Sequence, residues 1–333
     1  MDATDGRHPP SAGGAYQGPR CASERYSMWP MSRYGLVVDI DQTTRGLIYL
    51  EHLTARDLGV LAAAAPGTDA GDLRRRPQQV EDLLASEPVF EAVLAQPADP
   101  VDDLLHASPF LVFGVAVARA WRDMATVPYV QEWVGPRQRL PVFASDELHA
   151  LLDDPGMRLF LTELLASYTR VASGALTVRT RHGPRRRRYS ELDPVRLAGL
   201  LDVLPDETHV GVYRRLGDVA LFLTGVFPDH TARRGLAPLD IERLARSAGP
   251  TDDPAQAAER LLTALAARGA VGLLEDLGAR WYRQAARTAG STSATVALLE
   301  TAAERFGDAR RVLNHVTDRY LFPLRTRWFP SAS

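Results

Sequence analysis

Lysine is missing from this chain of 333 residues: all 39 basic side chains are arginine. Chemistry that needs a lysine, such as a Schiff base or a phosphate-loop lysine, is therefore excluded. The single cysteine, Cys21, rules out a disulfide scaffold and any multi-cysteine zinc site. Asparagine occurs once, at Asn314, and isoleucine three times, at Ile40, Ile48 and Ile241. All three scarce residue types have AT-rich codons, which points to a GC-rich bacterial genome. Long apolar runs are lacking too. The longest uncharged apolar stretch in mid-chain, 107–118, falls short of the about 20 residues a spanning helix needs. Residues 1–33 are rich in Gly, Pro, Ser and Ala and contain no apolar core of a secretory signal. They read as a disordered tail. A cytoplasmic protein with no membrane partner is expected.

What is present speaks mostly of helices. Ser86-Glu87-Pro88, Asp99-Pro100, Ser108-Pro109, Asp193-Pro194 and Asp253-Pro254 each place a capping side chain just before a first-turn proline. Proline has no N–H to lose there, and the preceding oxygen can accept an orphan amide. Helices follow near 54–65, 78–86, 87–96, 100–106, 109–126, 145–153, 156–173, 194–203, 207–227, 239–248, 254–267, 270–289, 294–306 and 309–321. In the last, Val312, Leu313, Val316 and Tyr320 share one stripe at helical spacing.

Three stretches resist a helical reading. Residues 34–51 (LVVDID and GLIYLE around a polar linker) have the composition of a short strand pair. Residues 128–143, with three prolines and a Gly135-Pro136 turn, read as an extended arm. Residues 175–189 place arginine-rich segments on both sides of His182-Gly183-Pro184, the pattern of a β-hairpin. The fold class expected is mainly α: a multi-helical globular protein with a short N-terminal strand pair and an arginine-rich hairpin. Its organisation would be a tail over 1–33, a helical lobe over 34–174 and a second over 175–333, or one continuous domain.

The balance of 39 basic against 41 acidic residues gives no global pull on nucleic acid or membrane. The charges are nevertheless segregated. Seven arginines and no acid lie between 164 and 190; seven acids and no arginine lie between 77 and 118. These fields either meet within the fold or face partners. On the hairpin, Arg179, Arg181, Arg185, Arg186, Arg187 and Arg188 follow a long helix, the layout of a winged-helix wing whose arginines contact phosphate or the minor groove.

Other residues offer themselves as chemistry. The segment 36–44, an apolar run ending in Asp39-Ile40-Asp41-Gln42-Thr43, resembles the first motif of the haloacid dehalogenase phosphatase superfamily. The resemblance implies Asp39 as the nucleophile that takes up a phosphoryl group, Asp41 as general acid/base and a Mg²⁺ ion beside them. The lysine of that family's third motif has no counterpart in this chain, and the alternating strands and helices of a parallel sheet are missing. Asp218 lies inside the apolar helix 210–227, where a buried carboxylate must be paired or serve a pocket, with His209 and His230 near the helix ends. His315 and Asp318, three apart, share a helix face and form a weak candidate pair of metal ligands. No cofactor motif is present: there is no Gly-x-Gly-x-x-Gly, phosphate loop, His-Glu-x-x-His or Gly-x-Ser-x-Gly. The expectation is a binding or regulatory module working through protein contacts. Its rivals are nucleic-acid or polyanion binding by the hairpin, and an enzyme built on Asp39 and Asp41 or on Asp218.

Overall fold

A computed structural model describes residues 41–95, 107–180, 183–249, 254–290 and 293–323. Its first helix, α1 (Gln42–His52), stands where the strand pair was expected. Asp41 caps it, accepting a hydrogen bond from the Thr44 backbone N–H at 2.7 Å. Strand-like composition over GLIYLE loses here to helical burial: Ile48 and Tyr49 face the core. Gly46 lets the helix touch the backbone at Pro77, where a Cβ would collide. The strand pair is thus corrected to a helix over 42–52, and residues 34–40 lie outside the described set.

Helices α2 (Ala55–Ala63), α3 (Ala70–Arg75), α4 (Gln79–Leu84), α5 (Glu87–Phe90) and α6 (Pro109–Met124) follow. Thr54 and Asp57 form a reciprocal capping box on α2. The other oxygen of buried Asp57 accepts the Ser108 N–H at 2.7 Å, so one carboxylate serves the starts of α2 and α6. The expected helix over 100–106 lies outside the described residues.

The extended arm is an antiparallel hairpin, β1 (Val130–Gly135) with β2 (Gln138–Val142). Its turn holds Arg137 at φ 59°, a left-handed conformation stabilised because Asp229 accepts the Arg137 N–H at 3.0 Å. Helices α7 (Ser145–Leu152) and α8 (Pro155–Ser167) lead into the second hairpin, β3 (Ser173–Thr180) with β4 (Gly183–Ser190). The arginine-rich hairpin therefore forms where the sequence placed it.

Short α9 (Pro194–Ala198) precedes the central helix α10 (His209–Val226), which is buried almost all round after Leu216. Next come α11 (Pro228–Arg233), α12 (Pro238–Ser247) and α13 (Pro254–Ala289). α13 is broken at Arg268-Gly269, with Gly269 at φ 57°. The element is thus two helices, an outer 254–267 and an inner 270–289, that kink so closely together that a Cβ on Gly272 would strike the Ala264 carbonyl. The inner arm packs on α10: Gly217 leaves room for the Tyr282 ring and Gly278 for Phe306. Finally, α14 (Ala294–Glu304) and α15 (Phe306–Val316, prolonged by a wide turn through Leu321) return to α10, β1 and α7. The described residues between 41 and 323 cluster as one compact unit. Fifteen helices against two short strand pairs, counted over the described residues, make the fold mainly α.

Candidate functional site

On the arginine hairpin the register is regular: Ser173 pairs with Ser190, Ala175 with Arg188, Thr177 with Arg186 and Arg179 with Pro184. Side chains two apart on a strand share a face, about 6.5–7 Å apart. Arg186 and Arg188 therefore lie on one face, the one opposite to Tyr189, which is buried at the hairpin's root. Both arginines are exposed, and no ion pair holds either among the described residues. Arg181 and the side chains of Arg179, Arg185 and Arg187 lie outside the described set.

The acidic stretch does not neutralise this surface at its described residues. Glu81 pairs with Arg45 at 3.2 Å, and Glu87 takes Arg119 and, at 3.6 Å, Arg122. Asp99, Asp102 and Asp103 fall outside the described set.

The root of the hairpin is tied to the core. Glu191, just after β4, donates its N–H to the Ala172 carbonyl at 3.1 Å, and its Oε2 accepts the Ala172 N–H at 2.9 Å. The same Oε2 accepts Arg215 Nη2 at 3.1 Å. Arg215 also donates to Ser167 Oγ at 2.8 Å, and its guanidinium lies 4.0 Å from the centre of the Tyr168 ring. Behind it is Asp218, 3.9 Å from Arg215 Nη1 and accepting the Tyr282 hydroxyl at 2.9 Å. Burial pushes the Asp218 carboxyl above its ordinary range; Arg214, Arg215 and the Tyr282 hydrogen bond offset only part of that.

The remaining sequence candidates are not brought together. Asp39 lies outside the described residues, and Asp41 is the exposed cap of α1. The backbone N–H of Thr44 holds the Asp41 carboxyl below its usual range, as a cap requires. His209 meets the Leu204 carbonyl at 3.0 Å, while His230 is exposed. His315 and Asp318 part company. His315 turns to Asp123 at 3.4 Å, and Asp318 takes Arg139 at 3.0 Å. No group of three or more His, Cys, Asp or Glu residues able to hold a metal ion occurs among the described residues.

Sequence reading missed two buried polar centres. In one, Asp123 Oδ2 accepts the Tyr320 hydroxyl and lies 3.2 Å from Arg319 Nε as well as beside His315. Burial alone would raise the Asp123 carboxyl, but the hydrogen bonds from His315 and Tyr320 and the Arg119 charge hold it below the usual range. In the other, fully buried Arg310 donates to Glu132 and, at 3.0 Å, to Asn314 Oδ1, with Glu275 Oε2 3.0 Å from its Nε. Arg311 donates to the other oxygen of Glu132. The available signal was Arg310 itself, which stands three and four residues before Leu313 and Asn314 on the inward stripe of its helix.

Comparison with known proteins finds no matching family model and no significant match among curated proteins or solved structures. Among the described residues, the β3–β4 hairpin presents a pair of exposed cations on a single pleated face. Such an element can grip anions.

Proposed function

We propose that this protein is a binding module whose contact element is the arginine hairpin and whose ligand is a polyanion, specifically the phosphate backbone of nucleic acid. The observation that carries the reading is that Arg186 and Arg188 are exposed on one face without a counter-ion among the described residues, while Glu81 and Glu87 are engaged by other arginines. Their spacing along β4 suits neighbouring phosphates of an extended strand. The winged-helix comparison supports the wing alone. Helix α8, which precedes the hairpin, packs Met157, Leu159, Phe160, Leu161, Leu164 and Leu165 into the core and leaves only a narrow, mostly half-buried face outward. Binding without a reading helix is sequence-independent and salt-dependent.

The test is a fluorescence titration of labelled oligonucleotides of unrelated sequence across a salt series. Binding at low salt should be indifferent to sequence. Arg186→Ser with Arg188→Ser should lower the salt slope by about 2 for duplex DNA. Equal binding by wild type and double variant, or no binding at low salt, would remove the reading.

A second reading, contact with a protein partner, draws on the other hairpin. Leu140 and Phe143 are 56% and 78% exposed, and Tyr129 packs edge-on against Phe143 with ring centres 6.1 Å apart. Exposed apolar side chains grouped in this way are a feature of interaction surfaces.

A further inference from the structure

We infer that Glu191 and Arg215 are positioning residues for the arginine hairpin, an ionic anchor that fixes the direction in which the ladder projects. The inference rests on the polyanion reading and names the part of the protein that makes it effective.

A two-stranded ribbon is marginally stable by itself, and one lined with arginines repels itself. Its ladder of backbone hydrogen bonds holds the strands to each other but says nothing about their angle to the core. That angle is set at the root. Ala172 precedes β3 and Glu191 follows β4, so the two ends of the ribbon meet at these residues. The Glu191 Oε2 atom takes both the Ala172 N–H and the Arg215 guanidinium. Arg215 belongs to the central helix and is itself clamped: Ser167 at the end of α8, the Tyr168 ring and Asp218 surround it. Tyr168 is stacked in turn on Phe222, with centroids 4.2 Å apart. A single carboxylate oxygen thus links both ends of the ribbon to the central helix α10. Arginine suits this role because its planar fork reaches Ser167 and Glu191 from two nitrogens at once.

Fixing the ribbon before a ligand arrives lowers the ordering cost of binding. The sign of one substitution separates this from plain electrostatics. Glu191→Gln removes a negative charge beside a cationic surface, so charge alone predicts equal or tighter polyanion binding. Loss of the anchor predicts weaker binding.

The experiment uses the full chain as wild type, Glu191→Gln, Arg215→Lys and the Arg186→Ser/Arg188→Ser pair. Each is titrated with a labelled single-stranded oligonucleotide at low salt, and amide hydrogen exchange is followed on β3, β4 and α10. We expect Glu191→Gln to weaken binding by about three- to tenfold. Arg215→Lys should act in the same direction at unchanged net charge. In both, the β3 and β4 amides should exchange faster while α10 amides keep their protection. Should Arg215→Lys fail to fold, Glu191→Gln alone decides. Binding by Glu191→Gln as tight as wild type, or unchanged exchange in the hairpin, overturns the anchor. If wild type binds no oligonucleotide, the polyanion reading fails, and the exchange measurement still decides whether Glu191 holds the ribbon.

Discussion

Glu132 and Asp218 are both buried carboxylates beside arginines, yet their ionisation is pushed in opposite directions. Glu132 lies between two guanidiniums, Arg310 on one oxygen and Arg311 on the other. Burial would raise it, but the Arg310 charge and the hydrogen bonds from both arginines win, and the carboxyl stays below its ordinary range. Asp218 has a neutral hydroxyl at 2.9 Å and its nearest guanidinium nitrogen at 3.9 Å, and there burial wins. The difference is contact geometry: two direct charge-assisted hydrogen bonds overcome desolvation, whereas a looser ion pair and one phenol do not. One site is a charged lock. The other is a looser polar contact, because Arg215 spends its direct hydrogen bonds on Glu191 and Ser167.

The largest expected effect breaks the charged lock. Glu132→Ala leaves Arg310, wholly enclosed, with one fewer counter-charge, and should lower unfolding free energy by about 3–5 kcal/mol in denaturant titrations. A loss below about 1 kcal/mol would mean that Glu275 alone satisfies Arg310 and that the two sites differ less than their geometry says.

At Asp218 a smaller and two-sided result is expected. Asp218→Ala strips the Tyr282 hydroxyl of its acceptor inside the core and should cost about 1–3 kcal/mol. Asp218→Asn keeps an oxygen for Tyr282 and removes the ionisation, so its stability at neutral pH should equal or exceed that of wild type. If the asparagine variant proved as damaged as the alanine one, the carboxylate charge would be essential and the contrast with Glu132 would disappear.

Acid and base should then act on the two sites with opposite sign. A lowered folded-state value at Glu132 means stability that is complete above its ordinary value of 4.5 and is lost as pH falls through the depressed one. A raised value at Asp218 means the reverse: its contribution is complete below 3.8 and is lost as pH rises through the raised value. The gap between wild type and Glu132→Gln should therefore close in acid. Asp218→Asn should gain on wild type from acid toward neutrality. Parallel pH curves for all three proteins would contradict both assignments.

Much of the helical framework was legible because local chemistry announces it. Ser108 accepts the Leu111 N–H at 3.2 Å and Asp193 accepts the Val195 N–H at 3.1 Å, as their positions before proline predict. The break between 254–267 and 270–289 is marked by Gly269, which takes a positive φ. α1 was hidden because Leu47, Ile48, Tyr49 and Leu50 have strand-like composition and only tertiary burial selects the helix. Both buried networks were hidden for another reason. Glu132 and Arg310 are 178 residues apart, and Asp123 and His315 are 192 apart, so no local spacing links them. The lone asparagine was visible, but its task was not: Asn314 donates to the carbonyls of Thr224 and Gly225, which end the central helix, while accepting from Arg310.

The smallest effect belongs to a third carboxylate, which supplies the solvent-exposed end of the comparison. Asp41 is exposed, and its lowered ionisation comes first from its hydrogen bonds with Thr44, with the Arg45 charge a lesser contribution. Water already solvates that carboxylate in the unfolded chain, so folding gains little beyond the cap itself. Asp41→Asn should be nearly silent in thermal unfolding, because an amide oxygen caps as well. Asp41→Ala should speed amide exchange in the first turn of α1 and lower the melting temperature less than either change at Asp218 or Glu132. A larger drop for the alanine variant would show that residue 41 holds more than a helix end, and would return attention to the carboxylate pair it forms in sequence with Asp39.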